Sequence, residues 1–125
     1  MIETLNFIQQ ELNKASIPYE FERWTAPVTY PYFVGETSTV EPMNEDGQEE
    51  LTFILTGWNR PNLYPLYLMA EKVSEIFPPI GGKTAILESG SGIAVFYADA
   101  FPIDSGEEDL RKIQINLTVK TWKVN

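Results

Sequence analysis

Cysteine and histidine are both missing from the 125 residues. Without cysteine there is no disulfide, no thiolate nucleophile, no cluster ligation and no zinc site built on sulfur. Without histidine the usual general base near neutral pH is gone, and so is the commonest ligand for zinc, copper and non-haem iron. Most familiar hydrolase and metalloenzyme plans are thereby closed. Basic residues are scarce as well, nine Lys and Arg against eighteen Asp and Glu, for a net charge of −9. Such a chain lacks the clustered cations that displace counterions from nucleic acid, so specific DNA binding is not expected. Long apolar runs are lacking too. Met1 to Leu12 has neither a basic start nor an unbroken apolar stretch, and reads as neither signal peptide nor membrane anchor.

What is present suffices for one folded unit. An apolar share of 43% with 13% aromatics is enough to build a core without staples in a chain of this length. Residues 1–125 therefore read as a single domain. The acidity is uneven. Between Glu36 and Glu50 there are six carboxylates (Glu36, Glu41, Glu45, Asp46, Glu49 and Glu50), no basic residue, and the turn formers Pro42, Asn44 and Gly47. This stretch, 36–50, reads as a long mobile loop or a projecting hairpin tip, because nothing apolar pins its centre.

Periodicity supplies the elements. Ile2, Leu5, Ile8, Leu12 and Ala15 fall on one stripe of a helix over about residues 2–15, ended by Ser16 and Pro18. Leu63, Leu66, Tyr67, Ala70, Val73 and Phe77 repeat the spacing over 63–77, stopped by Pro78-Pro79. Strands are expected at Tyr19 to Trp24, at Tyr30 to Val34 with Pro31 at a start or an edge, and at Leu51 to Trp58. Thr84 to Glu88 and Ile93 to Asp99 flank a Ser-Gly-Ser-Gly turn as a hairpin. Ile113, Ile115, Leu117 and Val119 alternate strictly with polar neighbours, the pattern of a strand with one face in the core and one in water. The result is an α+β fold: a mostly antiparallel or mixed sheet of about five to six strands, packed with two helices.

Chemistry-bearing motifs are weak. Eighteen acidic residues make carboxylate pairs inevitable, and Asp99 with Asp104 is the least bland candidate for a glycosidase-like or Mg²⁺-dependent site. Gly81-Gly82-Lys83-Thr84 carries the last letters of a phosphate loop but follows a helix and a double proline, the wrong context for that chemistry. Asn44-Glu45-Asp46-Gly47 has only fragments of a calcium loop. No catalytic residue, metal ligand or cofactor is assigned. Trp24, Trp58 and Trp122 suit a core or a sheet face, and tryptophan is also enriched where subunits meet. Trp122 interrupts the polar face of the last strand, which implies cover from either a neighbouring subunit or an adjacent loop.

The order of elements resembles the small tail terminator or tail-completion proteins of long-tailed bacteriophages. The similar features are the amphipathic first helix, Tyr30-Pro31-Tyr32-Phe33-Val34 with Gly35-Glu36 after it, and an acidic segment leading to Leu51-Thr52-Phe53-Ile54-Leu55. Thr56-Gly57-Trp58-Asn59-Arg60 then precedes a long helix, and the chain closes on a strand like Ile113 to Val119. The resemblance implies a non-enzymatic virion protein of the tail, assembled in the host cytoplasm as a ring, commonly a homohexamer. Such a ring caps the tail tube protein and joins it to the head completion or connector protein. DNA would pass through it without specific binding, and no membrane is involved. On this reading Glu45, Asp46, Glu49 and Glu50 line the channel or its mouth, where they repel phosphates, and Trp58, Arg60 and Trp122 join them as interface candidates. A different class stays open: an acidic mimic of nucleic acid that inhibits a host DNA-processing protein.

Overall fold

A computed structural model describes residues 1–40 and 48–123. The elements run α1 (Ile2–Lys14), β1 (Tyr19–Phe21), β2 (Tyr32–Val40), β3 (Gln48–Asn59), α2 (Tyr64–Ile76), β4 (Lys83–Ile86), β5 (Gly92–Ile103) and β6 (Arg111–Trp122). The strands form one six-stranded sheet in the order β1-β2-β3-β6-β5-β4. Every neighbouring pair is antiparallel except β1 with β2, which is parallel. The sheet is thus mixed, and the expected α+β class with two helices holds.

Period-two alternation decides which face is buried. Leu51, Phe53 and Leu55 of β3 and Ile113, Ile115, Leu117 and Val119 of β6 share one core with Ile8 and Leu12 of α1 and Leu66, Ala70, Val73 and Phe77 of α2. Both helices therefore lie on the same side of the sheet. The opposite face carries Thr56, Trp58, Gln114, Asn116 and Thr118, all partly exposed, with no helix over them.

Local chemistry explains the boundaries. The amide of Ile17 donates to the Leu12 carbonyl and that of Ser16 to Asn13, closing α1 with Ser16 in the left-handed region at φ 60°. This is the double-bonded helix stop usually made by glycine. Pro31 lies just before β2, where its missing N–H costs no ladder bond. Two core-face glycines admit aromatic rings: Phe33 lies over Gly57, its register partner, and Phe53 over Gly35.

Several expectations are corrected. The strand from Tyr19 ends at Phe21, because Glu22 adopts φ 69° and turns the chain away. Tyr67 is 45% exposed, since only the Leu66, Ala70, Val73 side of α2 meets the sheet, and Ile2 is 75% exposed. Glu36 to Val40 and Gln48 to Glu50, read as loop or hairpin tip, are strand residues of β2 and β3. Cross-strand partners hold them extended even where the side chains are polar. The strand expected at Ile93 to Asp99 likewise runs on, as β5, to Ile103.

One charge in the helix layer is structural. Glu11 is buried on α1, its carboxylate 2.9 Å from Lys14 Nζ and 3.4 Å from Lys83 Nζ at the start of β4. Burial pushes its pKa up, but the Lys14 hydrogen bond and the charges of Lys83 and Lys14 outweigh that and hold it below 4.5.

Two outcomes follow. Gly57→Ala puts a methyl into the Phe33 ring and should cost about 1–3 kcal/mol, read as a lower urea midpoint with an unchanged slope. Because the folded Glu11 pKa is depressed, its contribution is full above the unfolded value near 4.5 and is lost as pH falls through the folded value. Glu11→Gln should therefore lose less stability than the parent between pH 7 and pH 3 in paired urea titrations. An identical drop in both would contradict this role.

Candidate assembly surface

The open face of the sheet gathers aromatic residues at one end. Trp58, near the end of β3, is level with Tyr32 on β2 and Lys112 on β6. The Tyr32 and Trp58 rings stack at 5.1 Å between centroids with 18° between planes, and the Lys112 ammonium stands 5.5 Å from the Trp58 centroid. Trp24 continues the row, 5.0 Å from Tyr32. It reaches there because the turn at Glu22 throws the following segment across the face, and the Glu20 carboxylate holds that segment. Its oxygens accept from the amides of Thr25 and Ala26 at 3.1 and 3.3 Å and from the Thr25 hydroxyl. These bonds, Thr25 first, keep the Glu20 pKa low.

Arg60 fastens the same end. Its guanidinium donates to Glu107 at 2.6 Å and to the Tyr30 hydroxyl at 3.2 Å, and lies 3.5 Å from Asp109. The Tyr30 and Glu107 hydrogen bonds raise its pKa further. One side chain thus ties the turn after β3 to the 22–31 segment and to the β5–β6 connection. Asn59, buried beside it, donates to the Asn62 carbonyl at 2.8 Å.

Beyond the aromatic row lies a shallow hollow of about 240 Å³, lined by Glu22, Val34, Glu36, Thr56, Trp58 and Lys112. Next to it the polar side chains bond to one another: Gln114 donates to Asn116 at 3.0 Å, and Asn116 to Asp99 at 2.7 Å. Asp104 is occupied in a turn, accepting from the Gly106 amide at 2.9 Å. The carboxylate pair singled out in the sequence is thereby divided between a sheet-face ladder and a turn. Among the described residues, no three carboxylates are grouped so as to hold a metal ion.

The far end of the sheet holds the rest of the expected set. Gln48 pairs with Trp122, Glu49 with Thr121 and Glu50 with Lys120. The Glu49 carboxylate is 3.1 Å from Lys123, and Glu50 is 3.8 Å from Lys120. Trp122 is 37% exposed and lies against Gly92. Glu45 and Asp46 lie outside the described residues. Glu49, Glu50 and Trp122 thus share one end of the sheet, Glu49 on the helix side with Thr4 and Leu51 and the other two on the open face, while Trp58 and Arg60 lie at the opposite end of β3, roughly 30 Å away at the usual strand rise. Sequence reading missed Tyr30, Tyr32, Trp24 and Lys112 as companions of Trp58. The Tyr30 and Tyr32 alternation was a signal for a shared face, but only cross-strand register shows that Trp58 meets it.

Flat aromatic area, amides and cations on an uncovered face are the ingredients of association. No helix among the described residues is long and apolar enough to cross a membrane. No family model matches the chain, and no curated protein sequence matches it.

If the Tyr32 and Trp58 stack is a contact in its own right, Tyr32→Leu and Trp58→Leu should show a coupling of about 0.5–1.5 kcal/mol in a double-mutant cycle. Additive losses would mean that the two rings only cover area.

Proposed function

We propose that this chain is a non-enzymatic structural subunit that assembles into a ring and closes the end of a phage tail tube. The observation that carries the reading is how the fold disposes of its polar groups. Arg60, Glu20, Glu11 and Asp99 are engaged with partners inside the chain. What remains is a broad sheet face with no helix over it among the described residues, ending where Glu49 and Glu50 pair with Lys123 and Lys120. A surface of that kind suits subunit contacts better than turnover. The resemblance to tail terminator proteins supplies the particular assembly, with the tube subunit and the head connector as partners.

The net charge of −9 adds a physical reason. A wall past which DNA slides must not hold phosphates, and carboxylates at its mouth repel them. Lys120 and Lys123 stand beside Glu49 and Glu50, which keeps those carboxylates placed while the chain as a whole stays strongly negative.

Light scattering over a concentration series, alone and with tail tube subunits, tests the reading. Discrete rings, or binding that halts tube growth at one end, are expected. A monomer that ignores tubes at every concentration would overturn it.

A further inference from the structure

We propose that copies of this chain join by continuing the sheet edge to edge, the open stretch of β2 in one copy pairing antiparallel with the open stretch of β5 in the next. This rests on the self-assembly in the reading above, and is independent of the tail role.

Each edge of the sheet is only half covered. On one side β1 pairs with Phe33 to Gly35 alone, and the amide of Glu22 adds a bond to the Gly35 carbonyl. Among the described residues, no strand lies beside the outer side of β2 from Glu36 to Val40. On the other side β4 pairs with Gly92 to Val95, and the amide of Tyr97 donates to the Phe77 carbonyl at the end of α2. Among the described residues, no strand lies beside the outer side of β5 from Ala98 to Ile103.

The two openings lie at opposite ends of the sheet. Phe101 is level with Gln114, which is level with Thr56, which is level with Val34. The open part of β5 therefore stands beside the covered part of β2, and the open part of β2 beside the end that β4 covers. Three successive antiparallel pairings, β2 with β3, β3 with β6 and β6 with β5, make β5 run opposite to β2. A second copy set against the first edge to edge meets it in antiparallel sense without being turned over. If it slides by about four residues, roughly 13 Å, its open stretch fills the notch in the first. The short strands β1 and β4 then pass clear of each other, like the halves of a lap joint.

The same slide bears on closure. Each copy then adds four strands to the continuous sheet, β2, β3, β6 and β5, roughly 19 Å at the usual spacing, so the slide corresponds to a strand tilt of about 34°. Tilt with a regular stagger is how a sheet closes on itself, and a head-to-tail contact of one edge with the other makes a ring.

The chemistry of the edges restricts what can pair there. Bonds from Leu87 to Ser91 and from Tyr97 to Phe77 direct the odd-numbered amides of this part of β5 toward its outer side. The bulge between Tyr97 and Asp99 shifts that alternation, so the Ala100 amide and the Pro102 nitrogen face the notch. Pro102 has no N–H to offer, and β2 is also irregular between Thr37 and Val40. Proline and bulges discourage indiscriminate strand addition. They leave a short stretch that accepts a partner in one place, with Ser38, Ala98 and Phe101 exposed along it and a single carboxylate on each edge, Glu36 on β2 and Asp99 on β5.

Because the chain has no cysteine, introduced pairs report cleanly. Ser38→Cys combined with Phe101→Cys should give a ladder of disulfide-linked oligomers on a non-reducing gel, while each single variant stays monomeric there. Ser38→Cys with Asp99→Cys covers a register two residues away. Ala98→Lys or Ser38→Lys, at exposed positions, should raise the concentration needed for assembly at least tenfold with unchanged circular dichroism. Oligomers by light scattering without a ladder from either pair would overturn the edge contact alone. So would dimers from Phe101→Cys by itself, which would mean β5 pairing with β5. A parent protein that is monomeric at every concentration would overturn the self-assembly reading and this contact with it.

Discussion

Twelve residues of β3 run against twelve of β6, from Gln48 opposite Trp122 to Asn59 opposite Arg111, without a slip. The rest of the molecule is hung on this pairing. A shift of one residue would turn Leu51, Phe53 and Leu55, or Ile113, Ile115, Leu117 and Val119, from the core to the open face. Each such side chain is worth about 1.5–3 kcal/mol of burial, so the error would consume most of the ~5–15 kcal/mol by which a domain is stable. The irregularities lie outboard of that spine, at the bulges in β2 and β5 and in the short strands β1 and β4. A rigid centre with adaptable margins suits the edge contacts proposed above.

How far the sequence could be read follows from the same division. β6 was legible because Ile113 to Val119 have one face fully dry and the other wet, which is what strict alternation records. The helices were legible to within a residue or so because Pro18 and Pro78 stop them and Ile8, Leu12, Leu66 and Val73 mark their buried sides. Tyr67 was misplaced because helical spacing cannot tell how wide a stripe the neighbouring sheet will cover. The strand status of Glu36 to Val40 was hidden for a related reason. Its side chains are those of a loop, and only hydrogen bonding to β3 keeps it extended.

The assembly surface was less legible than the fold. Trp58 and Trp122 were grouped by residue type, yet register sets them at opposite ends of the sheet. Tyr32, Trp58 and Lys112 come from three strands separated in the chain by the hairpin and by α2, β4 and β5, and no local pattern carries their alignment. Arg60 could be named in advance, but its partners Tyr30, Glu107 and Asp109 could not. The turns that deliver them are set by the strands they connect.

A protein with nine excess negative charges resists meeting its own copy, and the repulsion acts over a screening length of about 8–10 Å. Contact is least opposed where charge is absent or already matched. On the open face Glu36, Asp99 and Glu50 are spread among the aromatic and amide side chains, so face-to-face stacking of copies would bring carboxylates together. Along the edges left open among the described residues, Thr37, Ser38, Ala98, Ala100, Phe101 and Pro102 are uncharged, and each edge carries one carboxylate, Glu36 or Asp99. Backbone pairing there would bring fewer carboxylates together than stacking of the open faces, and it would satisfy groups that the chain leaves to water. If copies join as proposed, the acidic composition works as a filter, opposing contact over most of the surface and opposing it least along the edges that the described strands leave open.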